Sequence, residues 1–410
     1  MRAPGSREAE RMLRRRGRKA WTVAVVGGGP AGAATALSLA RRGVEGVLLL
    51  EAGAPAGGGT GRRPAIGESL PPAATPALRA LGVLDTLEAG GHLPCPGSRS
   101  LWGGGGPGCN DFLFAPEGTG WHLDRALFDA QLRGATAEAG VEVRTGARLG
   151  GVEVADAGVH LRVGGPDGRG TRLRTRFVVD ATGPSGTVTR RLHVARNVLD
   201  RLVSVCAVAE TAPGRFRRDY TLLEATEDGW WYAARLPRDR LIVSFTSDPP
   251  TLRARRLHAP APFRQALERT RLVGPAVTEA LGEEALRLVT RAAPVMILSR
   301  VVGPSWLAVG DAASRWDPLS SAGITKALQH GIGAGEAVAE WLATGVPTGL
   351  EAYQAQVFAD FTEHVKVRYG LYRAEGRWPR SPFWAGRGAG VQAGRNRART
   401  APAVAALASR

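Results

Sequence analysis

Gly27-Gly28-Gly29-Pro30-Ala31-Gly32, followed nineteen residues later by Glu51, constrains this chain more than any other stretch. Thr22–Val26 is a short apolar, β-branched run and predicts a strand leading straight into the glycines. Residues 33–42 then read as a helix, and 47–50 as a second strand that ends at Glu51. Gly27 permits the tight turn, Gly29 lets backbone approach a pyrophosphate, and Gly32 lets helix and strand pack closely. Phosphates would meet the free N–H groups of the turn, which runs through Gly29, Ala31 and Gly32 with Pro30 offering no donor, and the positive end of the helix dipole. A G-x-G-x-x-G alone is a weak signal in a chain with 55 glycines. With strand, helix and acid all in place, it predicts a dinucleotide site in which Glu51 meets a ribose hydroxyl.

The same region admits a rival reading. Arg14-Arg15-Arg16-Gly17-Arg18-Lys19 before an apolar stretch resembles a twin-arginine or secretory signal. Three consecutive glycines and a proline interrupt that stretch, however, and it runs on into a strand ending at Glu51. No other segment approaches the ~18 apolar residues that span a membrane. The expectation is a cytoplasmic protein with a basic, disordered extension over residues 1–20. Cys95, Cys109 and Cys206 lack metal-ligand spacing and cannot build a disulfide framework, so no metal is expected. The net charge of +17 would suit a nucleic acid or an acidic partner. Only Lys19, Lys326 and Lys366 are lysines, though, so arginine supplies nearly all the basic charge, scattered and beside abundant Ala and Gly. That pattern reads as compositional bias, with neither nucleic acid nor membrane as partner.

With 410 residues and 44% hydrophobic content, the chain can bury a large core in two interleaved domains. Strand and helix alternate to about residue 90, and the Gly/Pro-rich stretch 90–108 reads as loops or strand edges near a ligand. Residues 124–140 form a helix with Arg125 at its start, and strands follow over 141–145, 158–163 and 172–179, with a turn at Pro166-Asp167-Gly168. Strands over 201–210, 220–224, 230–236 and 241–246 suggest a second sheet, and helices are expected over 261–269 and 274–281. Residues 306–309 return to a buried strand, and 323–342 form a long helix. The tail from about 350 begins helical and ends in Gly/Arg/Ala-rich sequence.

Two further strand ends carry chemistry. Phe177-Val178-Val179-Asp180-Ala181-Thr182-Gly183 runs into an Asp-Ala-Thr-Gly turn, and Trp306-Leu307-Ala308-Val309-Gly310-Asp311-Ala312-Ala313 into Gly-Asp-Ala-Ala. Singly, each is an ordinary strand-to-loop turn. In order after the glycines, they resemble the three-part FAD fingerprint of flavoprotein monooxygenases with the p-hydroxybenzoate hydroxylase fold. That resemblance implies an α/β protein, with a Rossmann-like FAD-binding domain interleaved with a mixed β-sheet substrate domain and followed by a C-terminal helical segment. It implies that Asp311 bonds the ribityl chain, that Asp180 lies near the dinucleotide, and that Arg125 of Leu123-Asp124-Arg125-Ala126-Leu127-Phe128-Asp129 reaches the cofactor. Asp317-Pro318-Leu319-Ser320-Ser321-Ala322-Gly323-Ile324 then opens the long helix; Pro318, Gly323 and Ile324 would present its N–H groups and dipole to the flavin pyrimidine ring. The alternative is an ordinary helix start capped by Ser320 or Ser321. The expected boundaries are 21–90, 121–190 and 300–345 for the FAD domain, 91–120 and 195–299 for the substrate domain, and 346–410 for the C-terminal segment and tail.

Ile66-Gly67-Glu68-Ser69-Leu70-Pro71-Pro72 resembles the Gly-Glu-Ala/Ser motif of tryptophan halogenases. Those enzymes carry a lysine shortly after it, where this chain has Pro76 and then Arg79, and a loop glutamate where it has Ser320. Their Gly-Trp-x-Trp-x-Ile-Pro motif is only approximated by 229–237. Gly229-Trp230-Trp231-Tyr232 with Leu236-Pro237, Tyr372–Pro379 and Phe383-Trp384 are similar to a non-halogenating subset: flavoproteins of tryptophylquinone maturation and peptide-tryptophan hydroxylases. Trp230, Trp231 and Tyr232 could line an aromatic pocket or simply pack a sheet.

This resemblance implies reduction of FAD, reaction with O2 to a flavin hydroperoxide, and oxygen transfer to an electron-rich ring such as an indole, on a small molecule or a peptide. Gly331-Ile332-Gly333-Ala334-Gly335 lies within a helix and offers no second nucleotide fold. Electrons would come from NAD(P)H bound transiently or from a separate flavin reductase. Glu68 and Lys326 are the catalytic candidates; the plainer readings have Glu68 bracing its loop, Lys326 pairing with a surface acid, and His122 as a structural histidine. Halogenation, a maturation factor acting on protein-bound tryptophan and an isoprenoid-reductase-like activity are the alternatives.

Overall fold

The computed structural model describes residues 20–53, 67–104, 106–156, 158–165, 170–212, 214, 218–282 and 286–388. The expected basic extension lies outside them apart from Ala20, as do Ile66, the 166–168 turn and everything after 388.

Strand β1 (Ala20–Val26) is buried almost throughout from Val23 on, as a parallel strand covered on both faces must be. Helix α1 (Pro30–Arg41) starts three residues earlier than its apolar pattern predicts. Pro30 at its first position needs no N–H partner and already holds a helical φ. Strand β2 (Val47–Glu51) pairs parallel to β1, which pairs parallel on its other side with β11 (Gly170–Asp180). Strand β18 (Trp306–Ala308), paired antiparallel with the edge strand β17 (Val302–Gly303), adds beyond β11, and β8 (Glu142–Thr145) beyond β2. The order β18-β11-β1-β2-β8 puts the carboxyl ends of β1, β2, β11 and β18 side by side at one edge. In such a sheet that edge is where ligands bind. Strands β9 (Arg148–Ala155) and β10 (Gly158–Gly164) extend β11 as an antiparallel meander. Two glycines inside β9 hid it from pattern reading.

The second sheet runs β19 (Ser314–Arg315), β16 (Leu288–Leu298), β12 (Arg196–Glu210), β15 (Arg240–Ser247), β14 (Gly229–Leu236), β13 (Thr221–Thr226), β5 (Gly97–Leu101), β6 (Gly108–Asp111). Strand β16 carries Pro294 and lacks clean alternation, so only its long pairing with β12 declares it. The stretch 90–108 supplies β5 to this sheet, and β4 (Leu93–Cys95) to a small sheet with β3 (Ser69–Leu70) and β7 (Gly120–His122). One face of the large sheet, with Val205, Trp231, Ala233, Val243 and Phe245, packs on helices α6 (Pro249–Ala254), α7 (Pro260–Glu268) and α8 (Val273–Leu281). Leu202, Leu223, Ala225 and Trp230 point the other way, into the main core. Before these come short helices α2 (Thr75–Ala80) and α3 (Leu84–Glu88), then α4 (Arg125–Glu138) and α5 (Thr187–Arg191). Helices α9 (Gly323–Thr344), α10 (Thr348–Ala374) and α11 (Pro382–Gly388) close the described chain. Among the described residues no helix is long and apolar enough to cross a membrane.

Helix α9 crosses α1 at backbone contact. A Cβ on Gly331 would lie 2.5 Å from Ala34 Cβ and 2.8 Å from the Ala31 carbonyl oxygen; one on Gly335 would lie 2.4 Å from Ser38 Cβ. These glycines therefore serve helix packing. Gly333, between them, faces only a Tyr353 ring carbon at 3.7 Å. Gly331→Ala should cost about 1–3 kcal/mol by overpacking. Gly333→Ala should be neutral or stabilise by about 0.5–1 kcal/mol through helix propensity. Urea unfolding of the two variants checks the opposite signs; equal effects would refute this packing.

Candidate functional site

The three strand-end turns meet with nothing larger than an alanine methyl between them. Gly27 has φ +112°, and a Cβ there would lie 2.2 Å from the Ala181 carbonyl oxygen. A Cβ on Gly32 would lie 1.9 Å from the Gly27 carbonyl oxygen. Gly310 has φ +61°, and its Cβ would lie 2.7 Å from that of Ala31. Backbone bonds tie the same turns: Gly27 N–H donates to Leu50, Ala181 to Val26, and Val309 to Asp180. Around Gly29, by contrast, nothing lies within 4 Å of where a Cβ would sit, and this residue begins α1 with no side-chain cap. The first N–H groups of α1 thus open onto space beside a positive helix end.

Glu51 closes this cradle from β2. Its carboxylate accepts the Gly28 N–H at 2.8 Å and the Gly53 N–H at 2.7 Å, so backbone sets its aim. Asp180, in contrast, faces inward and is fully buried. Its two oxygens accept the N–H and hydroxyl of both Thr182 and Thr189, at 2.6–3.1 Å. The carboxylate shapes the Ala181-Thr182 turn that walls Gly27. Asp311 is the open one, with 39% of its side chain exposed. Burial raises its pKa, but Lys326 and then Arg315 and Arg125 outweigh this and hold the carboxyl below its ordinary range. Arg125 begins α4, where the Asp124 side chain caps the Ala126 and Leu127 N–H groups. Its guanidinium reaches the Gly67 carbonyl at 3.0 Å and Asp129 at 3.3 Å.

The loop before α9 is braced from behind. Asp317 accepts the Leu319 N–H at 3.0 Å, Arg368 Nε at 2.8 Å and the Tyr372 hydroxyl at 3.0 Å; its own N–H donates to His364 Nε2. Ser321 takes a left-handed φ of +50° after Pro318–Ser320. Neither serine caps α9: its cap residue is Ala322, and Ser320 Oγ donates back to the Asp317 carbonyl. Gly323 has open space where a Cβ would sit, while Ile324 is buried. The first turn of α9 is left without a side-chain partner. An open carboxylate, two uncapped helix starts and three nearby cations suit a ligand with a pyrophosphate and several hydroxyls.

Glu68 stands where the small sheet meets the second sheet. It is 3% exposed and Oε2 has no hydrogen-bond partner. Burial pushes its carboxyl up to about 7, against the opposing pull of Arg125. Beside it Ser69 Oγ bonds the Tyr232 hydroxyl at 2.9 Å and Thr221 Oγ1 at 3.0 Å, and Thr221 bonds His122 Nε2 at 3.0 Å. Burial lowers His122 to about 4, which keeps it neutral. The aromatic run on β14 divides. Trp231 packs on Phe245 and Phe263, Trp230 donates to the Tyr372 hydroxyl, and Tyr232 alone joins the Ser69 cluster. Tyr232 shares its face with two cross-strand rows, Cys206–Ser244–Tyr232 and Ser204–Thr246–Trp230. Lys326, the other catalytic candidate, pairs with Asp311 rather than with a surface acid. Thr221 and Arg368 escaped the sequence reading, and Ser69 entered it only as part of the Gly-Glu-Ser motif, because no local pattern marks residues whose partners lie tens to hundreds of positions away.

Residues 20–364 match the FAD binding domain family, and the chain belongs to it. It is an FAD-dependent oxidoreductase. It is 30% identical over 364 residues to the putative FAD-dependent oxidoreductase LodB of Marinomonas mediterranea, spanning 88% of this chain and 95% of that one. Among solved structures it resembles CmlS, a flavin-dependent halogenase, with TM-score 0.77 and 25% identity over 90% of this chain and 67% of the other. It also resembles the peptidyl tryptophan dihydroxylase QhpG, essential for tryptophylquinone cofactor biogenesis, with TM-score 0.71 and 26% identity over 90% and 78%.

Because the folded state favours protonated Glu68, its contribution to stability is complete below the unfolded value of 4.5. It is lost as pH rises through about 7, a change worth about 3 kcal/mol. Glu68→Gln should therefore match the parent near pH 4.5 and exceed it above pH 8. Chemical unfolding at the two pH values checks this, and parallel profiles would refute the raised pKa.

Proposed function

We propose that this chain is an FAD-dependent monooxygenase that hydroxylates an electron-rich aromatic ring of indole or tryptophan type carried on a peptide. O2 is the oxygen source, and NAD(P)H or a separate flavin reductase supplies electrons. The observation that carries hydroxylation over halogenation is the fate of the lysines. A halogenase of the tryptophan type needs a free lysine amine beside the substrate. Lys326 is fully buried and donates to Asp311 and to the Ser314 carbonyl; Lys366 pairs with Glu363 on an exposed face of α10. Lys19 lies outside the described residues. The likeness to a peptidyl tryptophan dihydroxylase supports a peptide-borne ring.

When bound, FAD supplies the redox chemistry, accepting two electrons and, with O2, delivering one oxygen atom to the ring. The N–H groups around Gly29, Ala31 and Gly32 would hold the pyrophosphate, with Gly27 and Pro30 shaping the turn and Glu51 taking a ribose hydroxyl. Asp311 would hold hydroxyls of the central chain, Arg125 would offset phosphate charge, and the Pro318–Ile324 loop would direct the α9 dipole at the flavin ring. Asp180 supports the turn from behind. The polar face of the second sheet forms the far wall, where Tyr232 and Ser69 orient the ring and Glu68, poised near neutrality, takes up or returns a proton.

Protein loaded with FAD and supplied with NAD(P)H or reduced flavin should add one oxygen to a tryptophan-containing peptide, read by product mass. In bromide the product should stay free of bromine. A brominated product would overturn hydroxylation, and no change to any indole would overturn the substrate class.

A further inference from the structure

The geometry points to Lys326 as a positioning residue that aims Asp311 at bound FAD and sets one fixed positive charge behind it, tuning flavin affinity and midpoint potential. This inference depends on the FAD site and is independent of the substrate that is oxidised.

The Lys326 amine is wholly enclosed. It donates to Asp311 Oδ1 at 2.8 Å and to the Ser314 carbonyl at 2.6 Å, with the Trp316 ring 5.3 Å away. One ammonium thereby pins both ends of the 311–314 turn. That turn leaves β18 beside Ala31 of the glycine cradle, so fixing it also fixes how Asp311 faces the cradle. With Oδ1 held from behind, Oδ2 is presented on the open side of the residue.

A buried ammonium is costly unless it is paired and hydrogen-bonded, and here both conditions hold. Neighbouring histidines add no competing charge. Burial lowers His330 and pushes His364 down to about 3, and in both Lys326 itself disfavours the cationic form. His330 meets Asp360 on α10, and His364 stacks on Trp316. Arg315 donates away, to the Ala292 carbonyl, so Lys326 is the cation hydrogen-bonded to Asp311. Removing the amine frees the carboxylate to turn and leaves its negative charge offset only by the weaker pull of Arg315 and Arg125. Reduced flavin carries more negative charge than oxidised flavin, so it loses more affinity and the potential falls.

The test is a cycle of Lys326→Met, Asp311→Asn and the double variant, each stripped of FAD and reloaded. Titration gives FAD affinity, and a dye-coupled reductive titration gives the midpoint potential. Lys326→Met should weaken FAD binding about tenfold or more. It should weaken the reduced form about tenfold further, a drop of ~30 mV for a two-electron couple. In the Asp311→Asn background the same change should alter the affinity for oxidised FAD by less than about threefold, while loss of the fixed charge lowers the potential in both backgrounds. Unchanged affinity and potential in Lys326→Met would overturn the inference, as would an equal loss of oxidised-FAD affinity in both backgrounds. If the single variant fails to fold, the double variant removes both charges together, which buried pairs tolerate. Its comparison with Asp311→Asn then decides, a loss of oxidised-FAD affinity beyond threefold overturning the inference.

Discussion

Everything at the candidate site depends on how closely glycine backbone is approached at the carboxyl edge of the first sheet. Gly27 lies under the Ala181 carbonyl, Gly32 under the Gly27 carbonyl, and Gly310 against Ala31. Each contact is closer than any Cβ permits, so three turns from distant parts of the chain close into one surface. The parallel pairing of β2, β1, β11 and β18 brings them there, and the bonds from Gly27, Ala181 and Val309 fasten them. The glycines of α9 extend the principle, since α9 must lie close on α1 for Lys326 to reach Asp311.

Behind the edge lies a second layer of control. Asp317 starts the loop before α9 and is held by Arg368 and Tyr372 of α10. Arg368 also pairs with Asp200 of β12, and Arg387 of α11 joins Asp200 to Asp248. This chain of ion pairs connects the loop to the second sheet and to the last described helix. Breaking one member leaves a buried charge unpaired, which is why such networks hold geometry better than they add stability. The C-terminal helices thus brace the loop at Asp317.

Much of the frame was legible. The strand–turn–helix at 22–42, the acid at Glu51 and the helix beginning at Arg125 follow from periodicity and turn chemistry within short windows. Strand β16 was not legible, because Pro294 and an irregular pattern mask a strand that exists through its pairing with β12. The Trp230-Trp231-Tyr232 run could be read as pocket or packing; strand alternation and neighbouring helices sent Trp231 to the core and Tyr232 to the Ser69 cluster. Asp180 and Asp311 look alike as acids ending apolar strands. Thr182 and Thr189 turn the first inward, and Lys326 leaves the second half open.

By itself the sequence determined the glycine cradle with its flanking strands and helix, since short-range sterics and hydrogen bonding decide those features, while the FAD-binding class came from the resemblance that three ordered motifs carry. Only the tertiary structure decided what each charged side chain does. Lys326 serves Asp311, Arg368 serves Asp317, and Glu68 loses its solvent, because a carboxyl or an amine takes its chemistry from whatever the fold packs around it.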